Sequence, residues 1–287
     1  MRLPLALLAV ASLAAASHAK TIVVDGNPAD WTGTPPTLVH DVAVNGDEWI
    51  YKGEAGDLRT DAAGNLGNYD ITEARITLDA TNLFLLVRFA DITVTNEVSL
   101  AIGFDLDQNP GDSGMNFLGD NSGTPFFSSP SFYPEYQVHF HNAQNGITWG
   151  EFFHDVGAGS WYTDGGTVDS FISTTNNLLE ARISLSAIGL TPTSTFGLSI
   201  ASFDNGFDDG LNPGDPSGFG FNNTGDTTVD YPVLDALDGV GGTPGTSANA
   251  YGRVISISTG LFEPGNIAPI PLPSITASRV AGWEMLE

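Results

Sequence analysis

Apolar and polar positions along the chain fall into many short runs rather than a few long ones. Thr21 to Val24 is a brief β-branched run and Glu48 to Lys52 is another. Ile71 to Leu78 alternates, with Ile71, Ala74, Ile76 and Leu78 on or near one side. Leu83 to Ala90 is almost continuously apolar, which suits a strand buried on both faces. Val98 to Asp105, Tyr136 to His141, Ile147 to His154, Leu179 to Leu185, Phe196 to Phe203 and Arg253 to Ile257 complete the predicted strands. Thr81-Asn82 and Asn145-Gly146 read as tight turns between neighbours. Helical periodicity is confined to one turn at Ser184 to Leu190. The pattern predicts an all-β fold, a two-sheet antiparallel β-sandwich of immunoglobulin or jelly-roll type with long acidic loops.

Both ends differ from this pattern. Met1-Arg2, an apolar run from Leu3 to Ala16, and Ser17-His18-Ala19 have the order of a secretory signal peptide cut after Ala19. Residues 1–19 are therefore expected to be removed on export, and the protein to be secreted, periplasmic or at the cell surface. The apolar run is too short for a lasting membrane anchor, and no later segment is apolar enough for one. Residues 20–262 are expected to form the sandwich. Residues 263–287 read as a Pro-rich linker and extension, with Pro264, Pro269, Pro271 and Pro273.

Charge narrows the partners. The net charge is −25, from 34 Asp and Glu against 9 Lys and Arg. Such a surface repels phosphate backbones and anionic lipid, and it attracts cations. With 41% hydrophobic residues in periodic runs the chain is a folded one, not an acidic disordered tail. The absence of cysteine excludes disulfides, thiolate nucleophiles and thiolate metal sites. Gly-x-Ser-x-Gly, His-Glu-x-x-His and phosphate-loop signatures are likewise absent from the sequence, so no catalytic residue is assigned.

The acidic loops are the candidate metal sites. Asp105, Asp107 and Asn109 alternate after a strand, and Asp112 follows a Pro-Gly turn. Calcium takes roughly six to eight hard oxygen ligands, and alternating Asp and Asn around a turn present such oxygens to one point. Asn-Pro-Gly-Asp recurs later, where Asp204, Asp208, Asp209 and Asp215 form a longer acidic loop. The other explanation of both is a solvated turn rich in Asx residues. His139, His141 and His154 would meet across a hairpin if all three shared a face, which would suit a transition metal. Aromatic residues gather between 126 and 162; Tyr133, and Trp161-Tyr162 in a Gly-flanked loop, are candidates for stacking on sugar rings. Packing under loops is the alternative role.

Several segments, in order, resemble one superfamily. Val24-Asp-Gly-Asn-Pro-Ala-Asp-Trp31 is similar to the opening of DOMON-like, family-nine-type carbohydrate-binding modules. Glu48-Trp-Ile-Tyr-Lys52, Gly56-Asp57, Tyr69 to Glu73 and Asn82 to Asp91 resemble the C-terminal binding module of glucodextranase. Leu179 to Leu190, and loosely Phe203 to Gly210, fit the same superfamily. The resemblance implies bound calcium, with Asp25 and Asp57 as further ligand candidates. It also implies a non-catalytic role in holding polysaccharide or envelope glycan. The Met and His ligands of haem-binding members have no matching spacing here. The alternatives are a self-associating surface-layer or filament subunit and a glycoside hydrolase.

Overall fold

The computed structural model describes residues 20–57, 65–95, 98, 100–108, 133–144, 147–157, 160–163, 168–203, 233–237 and 255–258. The predicted signal segment and the Pro-rich extension lie outside them. The strands are β1 (Asp41–Asn45), β2 (Glu48–Lys52), β3 (Ile71–Leu78), β4 (Asn82–Phe89), β5 (Leu100–Asp105), β6 (Tyr136–Gln144) and β7 (Ile147–Gly157). Then follow β8 (Ser160–Thr163), β9 (Asp169–Ser173), β10 (Leu178–Ser184), β11 (Thr195–Phe203), β12 (Val233–Ala236) and β13 (Ile255–Ser258).

Every pairing is antiparallel. One half has the order β1-β2-β3-β4-β10-β9, the other β7-β6-β5-β11-β12, with β8 on β7 and β13 on β11. Among the described residues a single pair, Ile147 with Phe171, joins the halves through β7 and β9. The halves face one another across one core. Leu83, Leu85 and Val87 of β4 and Leu179, Ala181 and Ile183 of β10 share it with Leu100, Ile102 and Phe104 of β5. Val138 and Phe140 of β6, and Phe196, Leu198 and Ile200 of β11, complete it. The fold is thus the all-β sandwich that the alternation predicts. Among the described residues no helix is long and apolar enough to cross a membrane.

The apolar continuity of β4 has a direct cause. Leu83, Leu85 and Val87 face the core, while Phe84 and Leu86 face the other way, against Ile22, Trp31 and Leu178. The Thr21 to Val24 run is therefore not a strand: it is a strap laid over the outer face of the first half. The Asp25-Gly26…Asp30-Trp31 motif fastens that strap. Glu180, fully buried, accepts from the Gly26 amide at 2.7 Å, the Asp25 amide at 3.1 Å and the Trp31 indole at 2.8 Å. Gly26 has φ +76°, and a β-carbon there would lie 2.6 Å from the Phe171 ring, so glycine is required. Further along, Arg75 donates to Glu48 at 2.8 Å, Glu73 at 2.7 Å and the Gly33 carbonyl at 2.9 Å, and Lys20 pairs with Glu48.

Candidate metal centres

Asp105 is the last residue of β5, and its carboxylate is turned inward by the chain that follows. The Gln108 amide donates to Asp105 Oδ1 at 2.6 Å, and Gln108 itself adopts φ +53°. This is an Asx-type turn, which keeps an acid next to the chain's own N–H groups. The pairing of β5 with β6 puts Phe104 opposite Tyr136, so Glu135 arrives beside Asp105. The Leu106 amide fixes one Glu135 oxygen, Oε2, at 2.6 Å. Oxygens of Asp105, Asp107 and Glu135 then lie within 4.8 Å of one another.

Glu135 carries the strain of that arrangement. Its Oε1 is buried with no hydrogen-bond partner. Burial, then the charges of Asp105 and Asp107, push its carboxyl up to about 7, against the opposing effect of the Leu106 and Glu135 amides. Near neutral pH such a buried carboxyl either keeps its proton or needs a cation beside it to ionise. Three hard carboxylate oxygens at this spacing suit calcium, which accepts carboxylates, carbonyls and water in flexible geometry. On the far side of the loop, Gly189 ends the helical turn Leu185–Ile188, with φ +67°. A β-carbon at Gly189 would lie 2.9 Å from Leu106 and 3.0 Å from Tyr136. The sequence pattern marked Asp105 and Asp107 but not Glu135, which sits 30 residues on from Asp105 in the chain. Its signal was its position directly before the strand that pairs with β5.

The remaining expectations divide. Asn109, Asp112, Asp204, Asp208, Asp209 and Asp215 lie outside the described residues. Asp57 joins a second group, with Asp70 and Asp235, neither of which the sequence motifs marked. Burial, against the opposing charge of His40 and with that of Asp70, pushes the Asp57 carboxyl up to about 6. Asp25 belongs to neither group: it is exposed, and its carboxylate accepts from the Asn27 amide at 2.9 Å within its own turn.

The predicted loop at Trp161-Tyr162 is corrected. Trp161 and Tyr162 lie in β8, not in a loop, opposite Asp155 and His154. Tyr133, half-buried, lies two residues before Glu135 in the chain. The β6–β7 hairpin forms as its Asn-Gly turn predicts. In its register His154 pairs with Tyr136, His139 with Glu151 and His141 with Trp149. His139 is buried, with Nε2 3.0 Å from Gln137 Oε1.

No protein-family model matches the chain, and no curated protein does. The likeness to carbohydrate-binding modules therefore rests on the motifs quoted above, and the site on its own geometry.

Proposed function

We propose that the chain is an exported, calcium-binding, non-catalytic module that holds polysaccharide or envelope glycan. One observation carries the calcium half of this reading: Asp105, Asp107 and Glu135 converge within 4.8 Å, and Glu135 keeps a buried oxygen without a donor. The sandwich, the acidic surface and the motif order support the glycan half. Calcium in this role is structural. It neutralises the loop and fixes Tyr133 and the adjoining chain, the surface where a sugar would stack.

The test is a glycan array run with calcium and with chelator. The reading predicts polysaccharide binding that is lost on chelation and weakened in Asp107→Ala. Binding to no glycan in either condition would contradict it.

A self-assembling surface protein is the second reading. Strand β1 ends the first half's strand order, all five of its residues are part-exposed, and Leu38 and Val39 beside it are 68% and 41% exposed. An edge of this kind can pair with another strand. Light scattering on calcium addition separates the two: growth to large assemblies favours the second reading, an unchanged monomer the first.

A further inference from the structure

The opposite end of the sandwich holds a second convergence of carboxylates, drawn from three separate parts of the chain. Asp57 follows β2, Asp70 directly precedes β3, and Asp235 lies in β12. An oxygen from each lies within 4.8 Å of the others. In the ladder, Leu100 pairs with Ser202 and Asp105 with Gly197, while Asp235 also pairs with Ser202. At about 3.3 Å per residue, this set sits on the order of 15–20 Å from the Asp105 loop.

Burial distinguishes this set from an ordinary acidic surface. Asp70 is 5% exposed and Asp235 is fully buried. The Gly56 amide donates to Asp70 Oδ2 at 2.8 Å, and the Ile71 amide to Asp235 Oδ2. Asp70 Oδ1 and Asp57 Oδ1 are buried and receive no hydrogen bond. Among the described residues the basic group beside them is His40, whose Nε2 lies 3.8 Å from Asp57 Oδ2 and 3.4 Å from Glu54 Oε2.

We infer that Asp57, Asp70 and Asp235 bind a hard divalent cation of calcium's class, which pins β12 to the start of β3. All three donors are carboxylate oxygens, the chemistry that calcium prefers and that thiolate- or imidazole-seeking metals do not select. The mechanical consequence follows from the topology. β12 is a short end strand of one half, and β3 belongs to the other half. Across that gap the described contacts are Ile71 N–H to Asp235 and Ser202 Oγ to the Tyr69 carbonyl at 2.6 Å. A cation held by ligands from both halves joins them where no ladder does. The ligands come together only in the folded sandwich, so binding is coupled to folding.

The test is calorimetric titration of calcium into the full chain after chelator treatment, comparing wild type with Asp70→Asn, Asp57→Asn and Asp107→Asn. Asp57→Asn is included because Asp57 lies in a half-buried turn after β2, where the change leaves the strands intact. Both Asp70→Asn and Asp57→Asn should bind one calcium fewer than wild type, or bind it at least tenfold more weakly, while Asp107→Asn keeps that site. Hydrogen exchange supplies the second readout. Calcium should slow exchange of the Ile71 amide in wild type and Asp107→Asn, and not in Asp57→Asn. Unchanged stoichiometry and affinity in Asp57→Asn, with calcium protection of Ile71 retained, would overturn the inference. Loss of calcium in Asp57→Asn but not in Asp107→Asn would sustain it while removing the loop site of the proposed function.

Discussion

The indole N–H of Trp31 donates to Glu180 Oε1 at 2.8 Å, linking residues 149 apart in sequence. Glu180 is a buried acid in the middle of β10, and all three of its described donors come from the N-terminal strap. Removing its carboxylate leaves the buried Gly26 amide and Trp31 indole N–H, and the part-buried Asp25 amide, without that acceptor, the buried pair at the greater cost. Glu180→Ala should cost about 3 kcal/mol or more, lowering the melting temperature by about 6–12 °C. Glu180→Gln keeps one acceptor oxygen and should cost less. Asp169, half-exposed in its pair with Arg182 at 2.8 Å, is the control. Asp169→Asn should stay within about 0.5 kcal/mol of wild type. A Glu180→Ala protein that melts with wild type would show that the strap does not hold the sheet.

Gly189 connects the helical turn to the acidic loop. Its φ of +67° and the 2.9 Å approach to Leu106 both require glycine. Gly189→Ala should destabilise by about 1–3 kcal/mol and displace Leu106, whose amide positions Glu135. Calcium affinity should fall with it. An alanine variant with wild-type stability and calcium affinity would contradict the packing of this turn.

The two strained carboxyls give a pH dependence with a definite sign. Burial raises Asp57 to about 6 and Glu135 to about 7, both above their ordinary values of 3.8 and 4.5. A raised folded pKa means that the folded state holds the proton more tightly than the unfolded state. The stability from that proton is present below the unfolded pKa and is lost as pH rises through the folded one. Chelator-treated protein should therefore lose stability between pH 4 and 7.5, on the order of 2 kcal/mol for each group. Calcium stabilises the ionised forms and should flatten the profile. Denaturant titration across this range checks it; a metal-free profile that rises toward neutral pH would refute the assignment.

The strand pattern was legible in β2, read as a short β-branched run, and in β3, read from its alternation, and both have the limits the sequence predicts. It also anticipated β4, whose unbroken apolar run reflects the strap on its outer face. β1, β8, β9 and β12 escaped: each has five residues or fewer, and β1 is part-exposed at every position. The candidate site was half legible. Asp105 and Asp107 follow a strand in alternation, a local signal. Glu135, Asp70 and Asp235 reach their places through strand register, which pairs distant residues and leaves no mark in the spacing of any one segment. Glu180 likewise reads as an ordinary strand acid until Trp31 is set against it.

Calcium-dependent stability at high salt tests the central claim most directly. High sodium chloride saturates the generic screening that any cation gives so acidic a chain, leaving only specific sites to respond. At a hundredfold excess over Kd, calcium binding to the folded state alone contributes about 2.7 kcal/mol per site. For a chain of this size that raises the melting temperature by about 5–10 °C over chelator. Magnesium should give less, because it resists dehydration and demands stricter geometry. Asp107→Ala and Glu135→Gln should each remove much of the increment. Identical melting with calcium and with chelator at high salt would contradict the account, leaving the Asp105 loop as a solvated turn.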